Sequence, residues 1–197
     1  MSSTALSLPS TRRRVLADVL PHSLLMDIVL VFAGAALTGL LAQWEIPFSP
    51  VPMTGQTLGV LLAGASLGAV RGGLSMVVYV GAGLIGLPWF AGAASGYPAA
   101  TFGYLLGFIV AASVLGWIAQ TGRDRHVMQA IWAMFLTEAI VYAFGVTWLK
   151  IDLHVTWAQA VEYGFSPFIV ADLAKMLIAA LMLPAAWQLV DRLGRNR

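Results

Sequence analysis

The sequence contains no cysteine and little charge, and each shortage removes whole classes of function. Without cysteine there is no disulfide framework, no thiolate zinc site and no thiol nucleophile. Charged residues make up 10% of the 197 residues, against roughly 25% in ordinary soluble domains. Hydrophobic residues make up 59%. A water-soluble chain of this size needs polar residues on the outer face of each helix, and long stretches here have none. No glycine is followed by the Lys-Ser/Thr ending of a nucleotide-cradling loop, so the chain cannot use ATP by itself. His22, His126 and His154 stand far apart without ligand spacing, so neither a metal nor a cofactor is expected. The net charge of +2 comes from basic residues scattered over short loops and ends. A nucleic-acid surface would need them gathered into one stripe.

What is present is apolar length. About 20 apolar residues cross a hydrocarbon core, and six segments approach that: roughly Leu24 to Trp44, Pro52 to Val70, Leu74 to Leu87, Phe102 to Ala119, Val127 to Leu149 and Pro167 to Val190. The first is too long for a secretory signal core, which runs about 7–15 residues. The third is short, so it must begin in Gly72 and Gly73, or the following loop must dip into the membrane. Arg12 to Arg14, Arg71, Arg123, Arg125, Arg192, Arg195 and Arg197 all fall on one side of this arrangement, nine of the 11 cations. Cytoplasmic loops carry such an excess. The expectation is an all-α polytopic membrane bundle of six transmembrane helices over residues 24–190. Residues 1–23 and 191–197 form cytoplasmic tails, and no soluble domain is attached.

Charged side chains inside spans are costly and by default face the bundle interior. Three fall there: Glu138, Asp172 and Lys175. Asp172 and Lys175 are three apart on the last span and share a face, and Phe168 extends that stripe by one turn. Such a pair could serve only to lock the bundle, although buried pairs are often poor stabilisers compared with apolar packing. Its place in the outer half of the span favours a site. Thr54 and Gln56 start the second span on the same side, and Tyr104 starts the fourth. Trp89, Phe90 and Tyr97 lie in the loop above. Apolar walls with a few placed polar groups make a small-molecule pocket. Singly, Gln56 reads as well as a capping or interhelical bond, and Tyr104 as an interfacial aromatic. Glu138, near the middle of the fifth span, reads as structural or secondary. Gly34, Ala35, Thr38 and Gly39 give the first span a small-residue face for close helix approach, either within the chain or to another subunit.

Four stretches, in order, resemble the BioY family, the biotin-specific S components of energy-coupling factor transporters. Pro50-Val51-Pro52-Met53-Thr54-Gly55-Gln56-Thr57 is similar to that family's opening of span two. Gly86-Leu87-Pro88-Trp89-Phe90-Ala91-Gly92 and Phe102-Gly103-Tyr104-Leu105-Leu106-Gly107-Phe108 are similar to its third and fourth span motifs. Tyr142, Gly145, Trp148 and Leu149 follow, and Pro167-Phe168 with Asp172 and Lys175 resembles its last. The resemblance implies a six-helix subunit in the inner membrane of a bacterium. Such a subunit captures biotin from outside and passes it through a transmembrane T component driven by two ATPase subunits. It implies no catalytic residue, and a biotin site made of Thr54, Gln56, Trp89, Phe90, Tyr104, Phe168, Asp172 and Lys175. The face of Gly34, Ala35, Thr38 and Gly39 would meet the T component, and a homo-oligomer is also compatible. The loop over the site carries no Arg or Lys, which leaves the carboxylate tail to Ser95, Thr101, loop N–H groups or Lys175.

Two rivals remain. Ala94-Ser95-Gly96 faintly echoes an intramembrane serine protease, but the last span has no histidine to act as base. A stand-alone proton-coupled carrier would use Glu138 or Asp172 as its proton site, although the inverted repeats and broken helices common in such carriers are not found.

Overall fold

A computed structural model describes residues 15–195. Arg12 to Arg14 and Arg197, which carry part of the charge argument, lie outside the described residues. Among the described residues seven α-helices follow one another: α1 Leu24–Ala42, α2 Gln56–Leu67, α3 Ala69–Leu84, α4 Phe102–Ala119, α5 Val127–Asp152, α6 Trp157–Gly164 and α7 Ile169–Arg195. Between α1 and α2 the chain makes one antiparallel pair, β1 Glu45–Ile46 with β2 Met53–Thr54, in which Glu45 faces Thr54. The fold is an all-α bundle with a two-residue ribbon at one end.

Among the described residues, four helical stretches are long and apolar enough to cross a membrane: Leu24–Ala42, Ala99–Ala119, Val127–Asp152 and Trp157–Leu193. The second and third expected spans are shorter. Pro52 to Gly55 do not continue α2 upward, and α2 has 12 residues, about 18 Å at about 1.5 Å per residue. Nor does α3 wait for Gly72 and Gly73. It begins at Ala69, immediately after Gly68, whose φ of 85° is the left-handed turn between α2 and α3. Arg71 therefore sits in the first turn of α3 instead of in a loop. The last helix continues through Arg195, so most of the expected C-terminal tail is helical.

Packing depends on small residues where helices meet. A Cβ on Gly116 of α4 would come 2.3 Å from the carbonyl carbon of Gly68, and one on Gly64 of α2 would come 2.8 Å from the Ala112 carbonyl oxygen. Such contacts draw α2, α3 and α4 to backbone distance, as small residues do between membrane helices. The small face of α1 turns inward in the same way. Gly34 meets Ser75 and Leu67, Thr38 meets Gly59, and Gly39 meets Trp89, while Ala35 and Thr38 are fully buried. The expectation that this face meets a T component is therefore corrected, because α2, α3 and the α3–α4 loop already cover it.

The two ends of the bundle are fastened differently. At one end a short 3-10 turn, Leu16–Val19, docks onto the bundle with Val15 and Ala17 buried. Arg71 bridges Asp18 and Asp27 there. The segment just before α1 thus packs onto the bundle. At the same end the Trp187 indole donates to Asp124 at 2.5 Å, and the Arg125 guanidinium lies 3.9 Å over the Trp187 ring. Burial pushes the Asp124 carboxyl above the usual carboxylate range, opposed by the Trp187 hydrogen bond. At the other end the α3–α4 loop is tied to α1 by Gln43. Its amide donates to the carbonyls of Trp89 and Phe90 at 3.1 and 3.2 Å and accepts from the Ala93 N–H at 3.1 Å.

The close approach at Gly116 has a direct test. Gly116→Ala should cost about 1–3 kcal/mol through overpacking and lower the thermal midpoint in detergent. Gly81→Ala, where an added Cβ meets nothing within 4 Å, should leave the midpoint within error. Equal midpoints for the two variants would count against backbone contact at the α3–α4 crossing.

Candidate functional site

The site is built from helix ends that converge on the Gln43 side of the bundle. It draws on the starts of α2, α4 and α7, the second half of α5, the ribbon and the α3–α4 loop. They enclose a cavity of about 860 Å³, measured out to its mouth. Thr54, Gln56, Phe90, Tyr104, Phe168, Asp172 and Lys175 all line it.

Asp172 lies in the first turn of α7, just after Pro167 and Phe168 in a 3-10 turn. An anion there suits the exposed N–H groups of a helix start. Lys175, one turn on, donates to Asp172 Oδ1 at 2.7 Å and to the Thr57 hydroxyl at 3.1 Å. The Thr57 hydroxyl in turn donates to the same Asp172 oxygen at 3.1 Å. The second carboxylate oxygen accepts from the Tyr142 hydroxyl. One carboxylate thereby gathers partners from α2, α5 and α7. The side chains of Lys175 and Asp172 are 14% and 7% exposed, so the pair is shielded yet still borders the cavity.

A second polar line runs along α2. Thr54 donates to Gln56 Oε1 at 2.8 Å, and Gln56 Nε2 donates to the Tyr79 hydroxyl at 2.6 Å. Tyr79 is fully buried and meets the ring of Phe90 edge-on, centroids 5.4 Å apart. This seats Phe90 as an apolar wall. Tyr104 crosses to α5 and α6. Its hydroxyl donates to the Gly164 carbonyl at 2.7 Å, and its ring lies against Gly145, where a Cβ would come within 2.2 Å of it. Tyr104 offers the cavity a ring face, its hydroxyl being already engaged.

Trp89 is placed elsewhere. It is not among the cavity-lining residues; its indole donates to the Tyr79 carbonyl at 2.9 Å, and its ring covers Gly39. It supports the wall from behind. Tyr97 is exposed and rests on Phe102, centroids 5.1 Å apart. Of the groups suggested for an anionic tail, Thr101 lines the cavity, as does Lys175, while Ser95 does not. The lining also includes Glu45, Thr57, Phe108 and Tyr142, which sequence reasoning did not single out as site residues. Thr57 and Tyr142 stand inside the quoted motifs, Thr57 directly after Gln56. Their uncharged hydroxyls gave no further signal. Among the lining residues, Lys175 is the one cation. No group of three or more metal-ligating side chains occurs among the described residues. The cavity therefore has the chemistry to hold a compact molecule with an apolar body, N–H donors for Asp172 and an acceptor for Lys175.

Comparison with known proteins gives the same direction. The model of the BioY family matches residues 11–192. The chain is 36% identical over 165 residues to the probable biotin transporter BioY of Lysinibacillus sphaericus, covering 80% of this chain and 84% of that protein. It is 37% identical over 160 residues to the biotin transporter BioY of Thermotoga maritima, covering 77% and 89%. Its fold is similar to a crystal structure of the S-component for biotin from an ECF-type ABC transporter. The TM-score is 0.74 at 20% identity, over 83% of this chain and 92% of that one.

The ion pair can be tested before any ligand is added. Lys175→Met should destabilise the ligand-free protein by roughly 3–5 kcal/mol, because it leaves Asp172 shielded and uncompensated. Combining it with Asp172→Asn should recover most of that loss. Thermal unfolding in detergent measures both, and a double variant no better than the single one would refute the pairing.

Proposed function

The chain belongs to the BioY family, and from that premise we propose that it is the biotin-binding S component of an energy-coupling factor transporter. It takes biotin from outside the cell and hands it to a transmembrane T component powered by two ATPase subunits. It is a multi-pass protein of the bacterial inner membrane and not an enzyme. The observation that carries this reading is the Asp172–Lys175 pair bordering an open-mouthed, largely apolar cavity. Asp172 accepts from the ureido N–H groups, and Lys175 donates to a carbonyl or to the carboxylate tail. Thr54 and Gln56 complete the polar edge. Phe90, Tyr104 and Phe168 cover the apolar rings, and Trp89 holds Phe90 in place.

Orientation follows from which ends meet. The cavity uses the starts of α2, α4 and α7. Arg71, Arg123, Arg125 and Arg192 lie at the start of α3, after α4 and near the end of α7, which is the opposite end. The positive-inside rule then puts the cavity outside and both termini in the cytoplasm. In this reading α2 and α3 are the two short spans of six, with Pro52 to Gly55 and the α3–α4 loop completing the crossing at the outer surface.

The stand-alone carrier is kept as a second reading because Glu138 is buried in the middle of α5. Uptake by this chain alone that survives ATP depletion and is abolished by an uncoupler would favour it.

Sub-micromolar biotin should raise the thermal midpoint of the purified protein, since a ligand that binds only the folded state stabilises it by mass action. Asp172→Asn and Lys175→Met should each weaken biotin binding at least about tenfold, the loss expected for one charge-assisted hydrogen bond. Unchanged affinity in both variants, or no stabilisation of the parent protein, would overturn the assignment.

A further inference from the structure

Glu138 sits one turn from Tyr142 on α5 and takes no part in the network that holds Asp172. It is 5% exposed, and neither carboxyl oxygen has a hydrogen-bond partner among the described residues. A buried polar group without a partner calls for a physical reason. An ionised carboxylate so placed in a membrane helix would be strongly unfavourable.

Glu138 does border something. An open apolar groove runs beside it between α5 and α7, lined by the exposed Phe135, Phe165, Ile169 and Leu173, with the Glu138 carboxyl buried beneath. Tyr142 and Asp172 line both this groove and the first cavity, so these two side chains stand between them. Glu138 is therefore placed behind the wall that carries the ion pair. The charges acting on it are Asp172 and Lys175 on α7. The titratable hydroxyls of the cluster are Tyr142 on its own helix and Tyr104 on α4. Glu162 and Tyr163 on α6 are at exposed positions, and α2 contributes the non-titrating Gln56 and Thr57.

Charge counting then couples Glu138 to the first cavity. Lys175 and Asp172 sum to zero, and an ionised Glu138 would leave the cluster at one negative charge. A ligand carboxylate drawn to Lys175 adds another negative charge to the same low-dielectric region, where repulsion is felt far more than in water. A proton on Glu138 removes one of the two.

We propose that Glu138 is a proton-binding site coupled to the substrate cavity, so that capture of an anionic ligand at Lys175 is accompanied by a proton held on this carboxyl. The proposal rests on reading the first cavity as the biotin site with its carboxylate tail at Lys175. Linkage is reciprocal. The proton raises affinity for the anion, and the bound anion makes the proton harder to remove. Biotin affinity is therefore highest where Glu138 is protonated in the unoccupied protein, and it falls as rising pH takes that proton away.

The test is biotin titration calorimetry on the purified chain in detergent from about pH 6 to about pH 9, repeated in two buffers of different ionisation enthalpy to count protons. The parent protein should lose affinity with rising pH, by at most about tenfold per pH unit for one linked proton, and should take up a fraction of a proton over that range. Glu138→Gln should match its low-pH affinity and stay level, with no uptake assigned to this site. Lys175 is present in both, so the difference between the two profiles reports Glu138. Biotinamide, which lacks the anionic tail, should show no such slope in the parent protein. That comparison also carries the test if the Gln variant does not fold. Identical profiles for parent and Gln variant, or an equal slope with biotinamide, would overturn the proposal. No biotin binding by the parent protein at any pH would instead remove the ligand assignment, and the proposal with it.

Discussion

An ion pair within a membrane bundle cannot be left to lipid, and the fold is arranged around that constraint. Asp172 and Lys175 satisfy each other at 2.7 Å, but a carboxylate has more acceptor capacity than one ammonium uses. The remainder comes from Thr57 on α2 and Tyr142 on α5. Three helices must therefore meet at one point near the starts of α2 and α7. The same residues that hide the charge also line the cavity beside it. Binding chemistry and bundle geometry have a single origin here.

The rest of the packing makes this meeting sterically feasible. Small residues remove the bulk between α1, α2, α3 and α4, and Gly145 and Gly164 leave a slot for the ring of Tyr104. The slot fixes where α5 and α6 stand relative to α4, and so where Tyr142 stands relative to Asp172. The centroids of Tyr104 and Tyr142 lie 6.4 Å apart, edge to face. A membrane interior gives no hydrophobic drive to helix association, so close packing of this kind has to supply it.

Hydropathy made most of this legible, and its failures are physical. The bounds of α4 were readable because Pro98 and the Gly122 turn break the chain on either side of an unbroken apolar run. The helix α6 falls between two expected spans. Its eight residues are too few for a span, and only the Thr156 capping box with Gln159 marked its start. Pro52 to Gly55 fall within the second expected span, but Met53 and Thr54 form strand β2 of the ribbon instead, since apolarity does not distinguish helix from strand over a few residues. Small residues on α1 correctly indicated close approach without saying to what. Trp89 and Phe90 show the same limit: of two adjacent aromatics in a loop, only the backbone decides which one enters the cavity. The charged pair was visible because charges in spans are rare. Thr57 and Tyr142 were not, because hydroxyls in spans are common.

The attachment of the α3–α4 loop differs in kind from everything beneath it. Gln43 is exposed, and its hydrogen bonds to Trp89, Phe90 and Ala93 lie at the wet edge of the bundle, where water competes for each of them. The ion pair at the opposite wall of the cavity is shielded. The roof of the cavity is thus tied partly at an exposed edge, while its floor is shielded. Loss of the Gln43 bonds alone would be a local event, because buried Phe90 and the Trp89 indole on the Tyr79 carbonyl still hold the loop to α3.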